Sequence, residues 1–134
     1  MKNIYTVKVT LGDTDAAGIV FYPNFYRWMD QAAHDLIGNA ILPVSQLQKE
    51  KNIMFPLLET FCKYYSPLHF EDMVDVHSEV IELRNKVFKV QHDFIKNGDV
   101  VASGYEVRAW TTIVDGNLKA VEIPEDARVA IGGE

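Results

Sequence analysis

Cysteine occurs once in this chain of 134 residues, at Cys62, so no disulfide framework is available within it and a reducing compartment is the expected setting. Positive charge is short relative to negative. There are 13 Lys and Arg against 19 Asp and Glu, a formal net charge of -6, and a field of that sign disfavours nucleic acid or an anionic bilayer as a partner. No apolar run approaches the roughly eighteen residues that would suggest a membrane span. The amino-terminal MKNIYTVKVTL lacks the apolar segment and small-residue cleavage site of a secretory leader. The expectation is a cytoplasmic protein with no nucleic-acid and no membrane partner. A glycine-rich phosphate loop, a C-x-x-C pair and an H-E-x-x-H motif are also missing. His34, His69, His77 and His92 fall in different segments with no short ligand spacing, so no metal is expected. Cys62 sits in an apolar strand pattern, which suits an inert core thiol better than a nucleophile.

With 48% hydrophobic residues, the chain has the size and apolar content of one domain, residues 1–134. Its organising stretch runs from Gly12 to Gly38, GDTDAAGIVFYPNFYRWMDQAAHDLIG. Pro23 suits the first turn of a helix, because its missing N–H is one that would be orphaned there and its φ is already helical. The helix is therefore predicted from about Tyr22. Phe25, Trp28, Met29, Ala32, Leu36 and Ile37 recur at the spacing of one buried helical face, and Gly38 with Asn39 is the predicted stop. Ahead of the helix stand Asp13 and Asp15. A free N–H at a helix start can polarise a carbonyl oxygen while a nearby carboxylate attacks the carbon or directs water onto it. The same residue types also build an ordinary Asx-turned loop, and Asp13 suits holding the turn better than reacting.

Strand periodicity surrounds this helix. Ile4 to Leu11 alternates, and residues 40–59 form a long, partly ordered crossover with a short helical turn at Ser45 to Lys51. Five strands follow. They are Thr60 to Tyr65, Met73 to Leu83, Lys86 to Ile95, Val100 to Val114 and Leu118 to Ile123, with hairpin turns predicted at Asn97-Gly98 and Asp115-Gly116. In the fourth, Val101, Ser103, Tyr105, Val107 and Ala109 share one face, and Ala102, Gly104, Glu106, Arg108 and Trp110 share the other. The pattern predicts an α+β fold, one long helix on a curled antiparallel sheet. The tail from Glu125 is expected to fray.

The run DTDAAGIVFYPNFYRWMDQA, Asp13 to Ala32, resembles the signature of the hotdog-fold acyl-CoA thioesterases of the 4-hydroxybenzoyl-CoA thioesterase class. It joins D-x-D-x-x-G to aromatic-Tyr-Pro-Asn-aromatic and then to an acid in the helix. The order of elements and the basic run ELRNKVFKVQH extend the likeness over nearly the whole chain. The resemblance implies a long helix wrapped by a curved sheet and pairing into a homodimer or homotetramer. The substrate it implies is a small-molecule acyl-CoA, with coenzyme A part of that substrate and no separate cofactor. By the resemblance Asp15 is the catalytic carboxylate, as nucleophile or as general base, and the Tyr22 amide polarises the thioester carbonyl. The resemblance also implies that Arg84, Asn85 and Lys86 meet the coenzyme A phosphates and that Asp30 lies near the acyl ring; the readings open beside these are a solvated strand end and a solvent-facing helix acid. Arg84 and Lys86, two apart on a strand, are expected on one side of it.

Related short-chain thioesterases carry histidine directly after the tyrosine of this motif. Pro23 stands there in this chain, which moves the likeness toward the aryl-CoA branch and leaves Asp13 to Arg27 without the histidine that hotdog dehydratases use. The alternative to an enzyme is a non-catalytic acyl-CoA or acyl-carrier binding module in which Asp15 is only a turn residue.

Overall fold

Pro23 opens the helix that the apolar spacing predicts. In the computed structural model, which describes residues 1–132, α1 (Pro23–Ala40) has Tyr22 as its N-cap and buries Phe25, Trp28, Met29, Ala32, Ala33, Leu36 and Ile37. It runs two residues past the predicted stop. Gly38 lies within the helix, where a Cβ would stand in ordinary contact with the Pro43 backbone, 3.7 Å away, so no steric demand for glycine explains it. The crossover is more ordered than its sequence suggests, with α2 (Val44–Lys51) and the two-residue strand β2 (Ile53–Met54).

The strands β1 (Lys2–Lys8), β3 (Leu57–Tyr64), β4 (Met73–Leu83), β5 (Val87–Lys96) and β6 (Asp99–Ala109) form one antiparallel sheet in the order β1-β4-β5-β6-β3. Only β4, β5 and β6 follow one another as a meander, and β3 returns to the far side of β6. The long fourth strand is broken at Trp110. Beyond it β7 (Thr111–Val114) and β8 (Asn117–Ala120) join β2 in a separate three-stranded sheet. Asn97-Gly98 and Asp115-Gly116 have positive φ at both residues, as the predicted type I′ hairpins require. Register irregularities in β3, at Val80/Glu82 and at Phe94/Ile95 bend the strands, and α1 packs against all five. This is the α+β arrangement expected. No helix among the described residues is long and apolar enough to cross a membrane.

Three expectations are corrected. The tail from Glu125 is not frayed through Gly132. It forms α3 (Glu125–Gly132), whose Ala127 and Ile131 are buried in the core with Phe88 and Trp110. Its apolar residues recur at helical spacing, and burial of that face outweighs the weak local propensity of so short a segment. Leu11, read as the end of the first strand, instead opens a 3-10 turn, Leu11–Asp13, and is exposed. Arg84, Asn85 and Lys86 lie in the β4–β5 turn and not on a strand, so strand alternation does not place their side chains.

The core is divided by a polar belt. One apolar cluster holds Met29, Val76 and Phe94, and the other holds Leu36, Val80 and Val90. Between them the register sets Ser78 opposite His92 and His92 opposite Gly104. Ser78 Oγ lies 2.6 Å from His92 Nδ1, and His92 Nε2 lies 3.0 Å from Glu106 Oε1. Arg108 Nη2 donates to Glu106 Oε2 at 2.8 Å and to Asp30 Oδ1 on α1 at 2.7 Å, while Nη1 donates to the Phe55 carbonyl at 2.8 Å. At Gly104 a Cβ would run into the Phe61 carbonyl of β3 and would meet Met29 Sδ at 2.8 Å, so the missing side chain gives room to the β3 backbone first and to the Met29 side chain of α1 with it. Burial pushes the Glu106 carboxyl up, but the His92 hydrogen bond and the Arg108 charge outweigh it and hold the group below the ordinary glutamate range. With Glu106 ionised, His92 Nε2 carries the proton that faces it. Ser78, His92 and Glu106 are each no more than 1% exposed, so despite its resemblance to a triad this chain reaches no substrate.

Removing one member leaves the others buried and uncompensated, whereas removing the charges together does not. Glu106→Gln should therefore lower the unfolding free energy by about 3–5 kcal/mol, read from urea midpoints. Glu106→Leu combined with Arg108→Met should recover much of that loss. A Glu106→Gln protein as stable as the parent would contradict the role assigned to the belt.

Candidate active site

The segment from Thr10 to Tyr22 is folded onto the start of α1 by Asp13. The Thr10 N–H and hydroxyl each donate to Asp13 Oδ2 at 2.8 Å, and Arg27 Nη2, from the first turns of α1, donates to Oδ1 at 2.6 Å. The Asp13 carbonyl accepts the Phe21 N–H at 2.9 Å and the Asn24 side-chain amide at 2.8 Å. Burial raises the affinity of the Asp13 carboxyl for a proton. The Thr10 hydrogen bonds and the Arg27 charge outweigh it and hold the group below the ordinary aspartate range. Asp13 thus ties the turn, as its sequence context suggests.

Asp15 begins a tight turn at the tip of this loop. Its N–H donates to the Ile19 carbonyl at 2.9 Å, and its carbonyl accepts the Gly18 N–H at 3.0 Å. Its Oδ1 accepts the Ala17 N–H at 2.9 Å, which is an Asx turn. Gly18 has φ +81, a conformation open to glycine at little cost, which is the physical reason for a glycine three residues after the aspartate. Oδ2 of Asp15 has no protein partner among the described residues, and the side chain is exposed. The loop is anchored behind by the Val20 N–H, which donates to the Leu68 carbonyl at 2.8 Å.

Tyr22 stands where loop becomes helix, with φ -55 and ψ -33. Pro23 has no N–H, and those of Asn24 and Phe25 donate to the Phe21 and Tyr22 carbonyls. The Tyr22 N–H has no partner among the described residues, and the positive end of the α1 dipole lies at this point. Tyr22 also lines a cavity of about 450 Å³ walled by Ile19, Val20, Phe25, Tyr64 and Leu68 among others. Phe25 and Tyr64 meet edge to face there, with centroids 5.0 Å apart. The Asp15 side chain does not line this cavity, but its backbone is bonded to Ile19, which does. Burial pushes the Cys62 thiol up to about 11, which leaves it inert, as expected.

The other candidates lie elsewhere on the chain. Asp30 is half-exposed, bonded to Arg108 and 3.6 Å from His34 Nδ1, beside a second depression of about 480 Å³. Arg84 pairs with Glu82 in the β4–β5 turn. Within one chain the structure does not bring Asp30 or the Arg84, Asn85 and Lys86 turn into the cavity lined by Tyr22. Sequence reasoning missed Arg27 as the partner of Asp13, and it missed the Arg108 and Glu106 pair beneath Asp30. The pair had a signal, two opposite charges on one strand face between Gly104 and Trp110. The Arg27 contact depends on how the loop folds back and had none.

Comparison with known proteins identifies the family. The sequence pattern of the Thioesterase-like superfamily matches residues 9–131, and the chain belongs to that family. It is an enzyme of the thioester-hydrolase class. A solved gentisyl-coenzyme A thioesterase is 44% identical over 96% of this chain and 98% of its own, with a TM-score of 0.85. The 4-hydroxybenzoyl-CoA thioesterase of Pseudomonas sp. (strain CBS-3) is 29% identical over 89% of each sequence. The structure of an aspartate-to-asparagine mutant of a 4-hydroxybenzoyl CoA thioesterase, complexed with 4-hydroxybenzoyl CoA, superposes with a TM-score of 0.90. It is 26% identical and covers 97% of this chain and 98% of its own. The hotdog fold follows from these neighbours.

Asp13→Asn removes the charge that Arg27 and Thr10 face, and should cost about 1–3 kcal/mol of stability. A depressed carboxylate contributes fully above its ordinary value near 3.9 and loses that contribution as pH falls through the folded value. The melting temperatures of parent and variant should therefore differ at pH 7 and converge as the pH falls through the lowered folded value. A difference that is constant with pH would remove the charge from this account.

Proposed function

We propose that this enzyme hydrolyses the thioester of an aromatic or compact short-chain acyl-coenzyme A, with Asp15 supplying the carboxylate and the Tyr22 N–H polarising the carbonyl oxygen. The observation that carries this is the Tyr22 N–H, without a partner among the described residues, at the start of α1 on the wall of an aromatic-lined cavity. The loop bonded to that wall carries a carboxylate with one oxygen uncommitted. A thioester carbonyl gains negative charge at oxygen as its carbon is attacked, and a fixed N–H at a helix start stabilises that charge more than the ground state. If Asp15 Oδ2 attacks, an acyl–aspartate anhydride forms, the coenzyme A thiolate leaves, and water then cleaves the anhydride. If Asp15 acts as general base, it takes the proton from water as the water attacks. The acyl groups named for the two relatives, gentisyl and 4-hydroxybenzoyl, are hydroxylated rings, and the walls formed by Phe25 and Tyr64 suit a flat aromatic group.

Asp30 approaches the acyl ring, and Arg84, Asn85 and Lys86 receive the phosphates of coenzyme A. Because these groups lie apart on one chain, the complete site is formed by two copies. The β3 edge supports this pairing, since it leaves Leu57, Leu58, Phe61 and Tyr64 exposed next to the Tyr22 cavity, and apolar edge strands are ready to pair. The enzyme acts as a homodimer or homotetramer on a free acyl-CoA in the cytoplasm and needs no cofactor beyond its substrate.

Asp15→Asn keeps size and the bond from Ala17 while removing the charge. In a folded protein of unchanged oligomeric state, kcat should fall by about 10² to 10⁴, and the parent rate in that variant would exclude Asp15 from catalysis. Arg84→Ala and Lys86→Ala should each raise KM by up to about tenfold, with a smaller effect on kcat, and the rise should shrink as salt increases. An unchanged KM at low ionic strength would return both residues to ordinary solvated charges.

A further inference from the structure

The turn between β4 and β5 is held from behind by the C-terminal helix. Arg128 Nη2 donates to the Arg84 carbonyl at 2.5 Å and to the Asn85 carbonyl at 2.9 Å, and its Nε donates to the Ile123 carbonyl at 3.2 Å. The Ile123 N–H also donates to the Asn85 carbonyl at 2.9 Å, and the Trp110 N–H donates to the Lys86 carbonyl at 2.8 Å. Three successive carbonyls of the turn are therefore drawn toward α3 and β7. The helix that supplies Arg128 is itself anchored. Ile131 is fully buried, and the chain's amino group donates to the Ile131 carbonyl at 3.2 Å.

A trans peptide unit points its N–H opposite to its carbonyl, and no peptide bond among the described residues is cis. Holding the Arg84 and Asn85 carbonyls inward thus turns the N–H groups of Asn85 and Lys86 away from α3. Neither N–H has a partner among the described residues. The Arg84 and Lys86 side chains are exposed on the same turn. Two adjacent N–H groups flanked by Lys86 and by Arg84, whose guanidinium also pairs with Glu82, form an anion-facing surface, provided that the carbonyls, which repel an anion, stay turned inward.

We infer that Arg128 is a positioning residue for the phosphate end of the substrate, acting through the β4–β5 turn without touching the phosphate. The inference rests on the assignment of that turn to the coenzyme A phosphates made above. Because the Arg84 and Asn85 carbonyls lie at exposed positions, water replaces Arg128 when it is removed, so the turn loosens while the fold persists.

The test compares acyl-CoA with the matching acyl-pantetheine, which keeps the thioester but lacks the nucleotide and its phosphates. Arg128→Ala should raise KM for acyl-CoA severalfold and leave both constants for acyl-pantetheine within about twofold. Combined with the Arg84→Ala, Lys86→Ala pair, it should add nothing further to KM, because contributions that act through one shared element are not additive. An equal loss on both substrates would mean a general structural role and overturn the inference, as would an unchanged KM. A fully additive effect would show that Arg128 meets the phosphate itself, and would overturn it too. Were the Arg84→Ala, Lys86→Ala pair to leave KM unchanged, the phosphate assignment of the turn would fail and the inference with it, whatever Arg128→Ala does.

Discussion

The Asp13 carboxylate is the contact on which the candidate site depends. It joins the end of the first strand, through Thr10, to the opening of α1, through Arg27, while its own carbonyl collects Phe21 and Asn24. Five donors thus meet at one residue, and the loop between is closed into a fixed path. The Asp15 turn and the Tyr22 N–H both lie on that path. A carboxylate and an oxyanion donor gain catalytic power from being held in place before the substrate arrives. Asp13 therefore bears on the candidate site by geometry alone, and the carboxylate proposed to react is that of Asp15, two residues on.

A second constraint fixes the helix itself. The apolar face of α1 supplies most of its attachment, but apolar packing tolerates small slides and rotations. The Asp30 to Arg108 bond is directional and is backed by Glu106, His92 and Ser78 in the divided core. Buried charges of this kind contribute little net stability compared with apolar residues of similar volume. Here the belt reaches α1 through the Asp30 to Arg108 bond, two turns after the helix start. It also gives Asp30 a fixed rotamer, with Oδ1 committed to Arg108.

The helix was legible because its signals are local. Pro23, the apolar spacing and the acidic turn all lie within one contiguous stretch, and β4 was read to its residues from alternation alone. The fold class came from that local information together with the family likeness, and so did the expectation that Asp13 ties the turn. What was not legible is what depends on distant pairing. The exchange of β3 to the far side of β6, the break at Trp110 and the burial of α3 all follow from tertiary contacts that a weak local pattern cannot announce. The polar belt shows the same limit, since Glu106 and Arg108 were visible on one strand face, yet only the register brings His92 and Ser78 beside them. Arg84 and Lys86 were misplaced on a strand because a turn of three polar residues between two strands differs little in composition from a strand end.

The central claim is that this chain turns over aromatic acyl-coenzyme A esters. Thiol release by the parent protein measures it most directly, over a panel of benzoyl-, hydroxybenzoyl- and dihydroxybenzoyl-CoA beside acetyl-, hexanoyl- and palmitoyl-CoA. The account predicts release of one thiol per acid formed, with kcat/KM highest on the aromatic and compact members and lowest on palmitoyl-CoA. No release above the uncatalysed rate from any member, in protein that binds the same esters, would contradict it and leave a binding module in its place.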